Sequence, residues 1–378
     1  MFPKNFFNLA ARFASLAGLF TLISAEPGIA GPTVTENHLD QIDTLQDEET
    51  VGFRNGSVVV APIPFSNPTI GSGLLLGAGY LFNLDETSKP SMIGLAALRS
   101  DNGTTGYGLA ANFAFDNNRW LIESLFAKAD ARYDLYTSAG KLPVGQKGTL
   151  ARLSLAYGVS REMSFGASLR YLDTLITPSV NGLPPIPPPL DQFLNTEIAT
   201  LGLFMDLDKR DDTLYPTKGS SLHIEVANGY SLSGITGDYT TGYLTYSHFY
   251  SISKQGVIAA IVSACGASSS TPFFDQCGLG TIDGFRGFSA MQFFDTRSAA
   301  AQIEYRHRFS DRFGAVAFAG AGQVGPTLSQ LSANGTHSAA GLGIRYRVSK
   351  KFPVDFSVDY SRNNLKEDQV YVYVGQRF

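Results

Sequence analysis

The sequence predicts an all-β fold, a sixteen-stranded antiparallel barrel that crosses a membrane. Three observations carry the prediction. Residues 370–378 alternate, with Val370, Val372, Val374 and Phe378 on one face and Tyr371, Tyr373, Gly375 and Arg377 on the other. A strand with one face in lipid and a polar face in the lumen has this pattern, and an aromatic at its end is the outer-membrane habit. A secretory signal stands at the opposite end of the chain. Between the two, alternating segments and turn residues recur from Ser57 onward, and no stretch supplies the ~20 apolar residues of a spanning helix.

At the N-terminus, Lys4 and Arg12 precede an apolar run over 13–23, and Ser24-Ala25 or Ile29-Ala30 offer small residues for cleavage. Residues 1–25, or 1–30, are therefore expected to be a signal peptide. Residues 31–55 are acidic, with Leu39, Ile42 and Leu45 spaced among Glu36, Asp40, Asp43, Asp47, Glu48 and Glu49. Two readings of this segment stand, a short periplasmic helix under or inside the barrel and a solvated linker.

From Ser57 to Phe378 the strand-like segments are 57–64, 70–82, 91–99, 105–115, 119–133, 149–158, 163–172, 194–207, 219–230, 237–252, 255–266, 296–308, 313–323, 338–348, 353–361 and 368–378. Several have two clear faces. Ile303 and Tyr305 oppose Gln302, Glu304, Arg306 and Arg308; Leu342, Ile344 and Tyr346 oppose Arg345 and Arg347; Val354, Phe356, Val358 and Tyr360 oppose Asp355, Ser357, Asp359 and Ser361. A charge on the lipid face costs about 2–4 kcal/mol at the midplane, so the charged faces should line the interior. Tight connections at 116–118, 160–162 and 310–312 are set against long ones at 173–193 and 266–295, which suits short periplasmic turns and long outer loops.

Composition excludes some function classes. A net charge of −4 with 16% charged residues and no basic run gives no footprint for nucleic acid. Cys265 and Cys277 read as one disulfide, worth roughly 3 kcal/mol in the chain-entropy model, or as two unpaired thiols. Neither has a histidine at metal-ligand spacing, and no metal or cofactor is expected. His223 and Glu225 are placed facing the lumen, while Ser247 and His248 are neighbours on one strand and point to opposite faces. No nucleophile, base and orienter fall together, so the chain is not expected to be an enzyme.

Three motifs point further. Asp208-Lys209-Arg210-Asp211 with Pro216-Thr217-Lys218-Gly219 fills the turn between the eighth and ninth segments. Gly284-Phe285-Arg286-Gly287-Phe288 lies in the sixth outer loop, and the terminal strand is the third. Together they resemble the BamA/TamA superfamily of outer-membrane barrels, also called bacterial surface antigen barrels, over residues 57–378. The resemblance implies that the sixth loop folds into the lumen and that Arg286 pairs with acidic residues of the wall, Glu304 matching one such position. Gly320 stands where the family usually places a second aspartate, which leaves Asp355 or Asp359 as a substitute partner. An alternative is that Arg286 only packs the loop as a plug. The short segment 31–55 leaves no room for the family's POTRA repeats, so the chain resembles a member lacking them.

Pro62 and Pro64 in the first strand remove donors from one edge, which is tolerated mainly at sheet edges. Either that edge faces the last strand and weakens the barrel's seam, with Gly375 weakening the other side, or the prolines end the strand early. A frail seam is the lateral gate that the resemblance implies. The expected function is insertion or translocation of proteins or lipids at the outer membrane, the alternative a passive pore or structural barrel. Outer-membrane lipid and a client β-barrel protein are the expected partners, and a monomer is the expected state.

Overall fold

The computed structural model describes residues 56–88, 90–137, 140–178, 195–212, 215–234, 236–281, 285–347 and 355–378. The signal, the acidic segment 31–55, Val354 and Gly284 of the loop motif lie outside the described residues. Sixteen strands close into one barrel in which each pairs antiparallel with its neighbours in chain order and the last returns to the first. They are β1 Ser57–Asn67, β2 Gly71–Phe82, β3 Ser91–Ser100, β4 Thr105–Phe115, β5 Trp120–Thr137, β6 Gly140–Gly158, β7 Met163–Pro178 and β8 Asn195–Asp208. The second half comprises β9 Gly219–Ser233, β10 Tyr239–Ser251, β11 Gly256–Ala267, β12 Arg297–Arg308, β13 Phe313–Gly325, β14 His337–Arg347, β15 Asp355–Asn363 and β16 Asp368–Val374. Among the described residues no helix is long and apolar enough to cross a membrane.

The period-two alternation places each side chain. On β12, Ile303 and Tyr305 are 53% and 41% exposed, whereas Glu304 and Arg306 between and beside them are 0% and 1% exposed. The exposed set faces outward into lipid and the buried set faces the lumen. One sector departs from the expected polar interior. The inward side chains of β1–β3 are apolar, and Val59, Ala61, Ile63, Phe65, Leu75, Leu81, Met92 and Ala96 form one buried cluster.

The strands depart from expectation in length at β5–β7. The segment 134–148 contains Gly140, Pro143, Gly145 and Gly148 and reads as a loop, yet β5 and β6 stay in register from Trp120↔Tyr157 to Thr137↔Gly140. Their outer ends are held by tertiary contact. Tyr133 and Val144 pack with Met291 and Phe273 from the connection between β11 and β12. Turns 116–119, 159–162 and 309–312 share one end of the barrel, and the three longest outer connections, 179–194, 268–296 and 326–336, share the other. The expected asymmetry is partial, because 68–70, 101–104 and 364–367 at that outer end are equally short.

Candidate functional site: the seam and the loop behind it

The connection from β11 to β12 is fastened twice to the inner wall. Its first fastening starts from the disulfide that the sequence offered as one of two readings, and leads to a contact that the sequence did not anticipate. The disulfide Cys265–Cys277, with Cα atoms 5.5 Å apart, ties the end of β11 to the loop. It presents the short 3-10 turn Phe273–Asp275 to the β7–β10 wall. There Arg170 of β7 donates from Nη1 to Asp275 Oδ1 at 3.0 Å, and its Nη2 and the Tyr239 hydroxyl both bond Oδ2. Phe274 is buried against Ile198 and Tyr239. The signal was present: two aromatics beside an acid make a poor solvated loop, and alternation turns Arg170 inward.

The second fastening is the one the motif predicts. Arg286 is fully buried, with Nη2 2.5 Å from Glu304 Oε2 and Nη1 2.5 Å from Asp359 Oδ2. Its guanidinium carbon lies 3.5 Å from the centre of the Phe318 ring, a cation–π contact, and its backbone N–H donates to Gln302 Oε1 at 3.2 Å. Glu304 also accepts from Arg306 Nε at 2.7 Å, while Asp359 accepts from Arg345 and, at 2.7 Å, from the Tyr373 hydroxyl. Every carboxylate oxygen of the pair therefore has a charged donor, the condition under which buried ions are tolerated.

The second carboxylate comes from β15 and not from β13. Asp355, the other candidate, is taken by Arg308, Arg347 and Gln376 and does not meet Arg286. Gly320 makes room for the loop: a Cβ there would sit 3.0 Å from Cε2 of Phe285 and 2.7 Å from the Ala301 carbonyl. Phe285 stacks on Phe288 with centroids 5.7 Å apart. Gly287 between them has φ +118°, and a Cβ would lie 2.3 Å from that of Ala339, so both backbone and space require glycine.

The turn between β8 and β9 is mainly local architecture. Arg210 forks onto Asp208, with Nε at 2.9 Å from Oδ1 and Nη2 at 2.6 Å from Oδ2. Asp211 accepts from the Thr217 and Lys218 N–H groups at 2.8 and 3.0 Å. Burial pushes its carboxyl up, but these bonds and that of the Thr217 hydroxyl hold it below its ordinary value. Gly219 has φ +97° and closes the turn against the Lys209 carbonyl. Two residues reach the lumen. The Pro216 carbonyl accepts from Arg306 Nη1 at 3.4 Å, and the Tyr215 ring lies 4.6 and 5.1 Å from the guanidinium carbons of Arg308 and Arg347.

The histidines stand apart from these fastenings. His223 faces inward and its Nδ1 is 2.7 Å from Asp206 Oδ1, while the Ser247 hydroxyl meets that of Ser221 and His248 lies outside beside Tyr246.

The seam between β1 and β16 is held by one residue pair, Ser66↔Val372, supplemented by the Ser66 hydroxyl on the Val370 carbonyl at 3.2 Å. On its other side β1 pairs with β2 without interruption from Ser57↔Leu81 to Asn67↔Gly71, across both prolines. An unbroken ladder there requires the missing N–H groups of Pro62 and Pro64 to lie on the edge facing β16. The prolines do not end the strand; they blunt its seam edge.

The loop supplies contacts that the strands lack. On the β1 side, the Thr69 hydroxyl oxygen accepts from the Ala290 N–H at 3.0 Å and meets the Ser289 hydroxyl at 3.3 Å. On the β16 side, Gln292 Nε2 donates to Glu367 Oε2 at 2.6 Å, the Gly287 N–H donates to the Tyr371 hydroxyl at 2.8 Å, and Asn363 Nδ2 donates to the Gly287 carbonyl at 3.0 Å. Residues 287–292 thus bridge the two sides of the seam at its outer end.

Below it, β16 departs from the expected strand over 368–378. Val370 and Val372 pair with Tyr360 and Val358, outward residues of β15, but Val374 packs against the β1–β3 cluster and the strand ends there. Gly375, at φ +93°, turns the chain inward, fixed by its N–H on the Asp355 carbonyl at 2.8 Å and its carbonyl on the Ser357 hydroxyl at 2.7 Å. Phe378 is consequently not on the lipid face with the valines. Its carbonyl accepts from Arg306, and its ring lies 5.9 and 5.7 Å from the guanidinium carbons of Arg286 and Arg306. These distances are those of cation–π contacts, which the lipid face would not offer the ring.

Comparison with known proteins adds to this geometry. A profile of the Omp85 superfamily domain matches residues 75–378. The fold is similar to the BamA of Haemophilus ducreyi lacking POTRA domains 1–3, at 16% identity and a TM-score of 0.59, over 85% of this chain and 70% of that one. It is also similar to CdiB from Acinetobacter baumannii, at 11% identity and a TM-score of 0.54, over 85% of this chain and 59% of that one. CdiB from Escherichia coli is similar at 12% identity and a TM-score of 0.56, over 96% of this chain and 73% of that one. At these identities the likeness is one of fold. Among curated proteins none matches the sequence.

Proposed function

This chain belongs to the Omp85 superfamily of bacterial outer-membrane barrels, and from that premise we propose that it assists insertion or translocation of proteins at the outer membrane through its seam. The observation that carries the reading is the single pair Ser66↔Val372 where neighbouring strands are joined along their length. A net ladder hydrogen bond contributes about 0.5–1.5 kcal/mol, so one pair makes this junction far weaker than any other in the barrel. An open strand edge is a template for another strand. The mechanism is opening of the seam, thinning of the bilayer beside the short β16, and exchange of the seam pairing for pairing with a client strand.

The test is client folding in liposomes. The barrel is mixed with an unfolded small outer-membrane barrel, and folding is followed by gel mobility. A barrel carrying Ser66→Cys and Val372→Cys, oxidised across the seam, is the control. We expect the unlocked barrel to speed client folding by about tenfold or more, a barrier lowered by about 1.4 kcal/mol, and the locked one to lose the effect until reduced. Equal rates with and without the barrel would reject the reading.

A second reading, a passive or structural barrel, draws on the loop fastened to two walls by Asp275 and Arg286. It is favoured if client folding is unaffected and the liposomes show either steady conductance or none.

A further inference from the structure

We infer that the outward face of β3–β6, at the outer end of the barrel, is a binding surface for the phosphate groups of an outer-leaflet glycolipid. The inference rests on the outer-membrane setting and not on the insertion reading. Alternation turns Arg99 of β3, Lys128 and Arg132 of β5 and Lys147 of β6 outward, and all four are exposed, Lys147 by 71% of its side chain. Register gathers them. Arg99 is opposite Thr105, Thr105 opposite Asp130, and Asp130 opposite Lys147, which makes one row across four strands. Lys128 and Arg132 flank Asp130 along β5 on the same face. Asp130 is therefore one carboxylate among four cations, and Lys147 bonds it at 3.3 Å. Among the described residues the side chains of Arg99, Lys128 and Arg132 have no acidic partner. Asp101, beyond the end of β3, is engaged by the Ser72 N–H at 3.0 Å. The patch is positive in a chain whose net charge is −4.

The row lies where the hydrocarbon ends. Trp120, Tyr157 and Phe165 stand opposite one another at the periplasmic end of the same wall. From Trp120 to Asp130 the strand rises about 25 Å at the usual tilt, the height of a barrel's apolar band. Between these levels the outward residues include Leu95, Leu109, Phe126 and Leu153, all exposed, and Tyr107 lies opposite Lys128 as an interfacial aromatic. A lipid whose acyl chains run along Leu95, Leu109 and Phe126 brings its headgroup phosphates to the four cations. Two are ammonium point charges and two are guanidinium forks, both suited to phosphate oxygens. The surface is confined to this sector. Among the described residues, the other outward strand positions at this level carry two cations, and both are engaged. Arg297 on β12 donates to the Ala267 and Thr296 carbonyls, and Arg362 on β15 pairs with Asp368 at 3.3 Å.

The experiment titrates the whole barrel, in detergent with a chelator present, with diphosphorylated lipid A and counts bound lipid by native mass spectrometry. A barrel carrying Arg99→Gln, Lys128→Gln and Lys147→Gln is compared with one carrying Arg119→Gln, Arg161→Gln and Lys254→Gln. The second set removes three exposed cations at periplasmic turns. We expect the first variant to bind at least about tenfold more weakly, and the second to bind as the unaltered barrel does. Lipid A stripped of its phosphates should bind the unaltered barrel as weakly as the first variant binds the intact lipid. Asp130→Asn, a single change at constant volume, should tighten binding about twofold or more. Inorganic phosphate in large excess should not displace the lipid. Equal binding by all the barrels, equal losses in the two triple variants, binding indifferent to the phosphates, or displacement by inorganic phosphate would each overturn the inference, the last by making a free anion the occupant. No client is present, so a barrel that fails to speed client folding loses the insertion reading while this result still decides the lipid surface.

Discussion

Arg286 is one guanidinium that joins three strands and a loop, through Glu304 on β12, Phe318 on β13 and Asp359 on β15. Its fork geometry reaches two carboxylates at once, which an ammonium cannot do. Removing it leaves buried carboxylates short of a donor, although Arg306 and Arg345 remain beside them. We expect Arg286→Ala to destabilise the barrel by about 3–5 kcal/mol, and Arg286→Lys to recover only part of it, measured by urea titration of heat-modifiable mobility. An unchanged midpoint would mean that the loop is held by its apolar contacts alone. The partner Glu304 was implied by the family resemblance, and alternation independently faces it inward. The choice between Asp355 and Asp359 was not, since both share a face and only the stagger of β15 against the loop separates them.

The seam and the β11–β12 loop act together as elements. The strands contribute one pair and the loop contributes bonds to Thr69 on one side and to Glu367, Asn363 and Tyr371 on the other. These loop bonds should therefore control opening. Thr69→Val with Gln292→Leu removes a bond to each flank at nearly constant volume. It is expected to raise amide exchange in β1 and β16 by about thirtyfold, the equivalent of two net hydrogen bonds near 1 kcal/mol each. Exchange in β5 and β6 should not change. Reducing Cys265–Cys277 loosens a different part of the loop, so it should expose 268–276 to protease while leaving seam exchange nearly unaltered. Equal effects of the two treatments would show the loop to be one cooperative plug.

As a whole the barrel is uneven in height. β5 and β6 contain 18 and 19 residues, and β16 contains 7. A tilted strand needs about 9–11 residues to cross the hydrocarbon core, so the proposed mechanism has the bilayer thin beside β16 while the long hairpin extends past the ends of its neighbours. Client acceleration, taken as the ratio to uncatalysed folding in the same lipid, is expected to increase in vesicles of longer-chain lipids. There the unassisted reaction meets the full thickness and the barrel supplies a thinned site. A ratio independent of chain length would remove thinning from the mechanism and leave strand exchange alone.

The sequence by itself determined the barrel, the number of its strands, the faces of β12, β14 and β15, and the two donors missing from one edge of β1, though not which neighbour that edge faces. All of these follow from period-two alternation and from the missing proline N–H, which are properties of a few adjacent residues. The tertiary structure alone decided the rest. Glycines and a proline in 140–148 read as loop until Met291 and Phe273 cover the hairpin from the inside. Asp275 has no visible partner until closure of the barrel brings Arg170 and Tyr239 to it. Alternation would keep Phe378 in lipid, but Gly375 can turn at positive φ and Arg306 offers a donor within the lumen. Contacts between distant segments are set by closure of the sheet, and closure leaves no periodic mark in the chain.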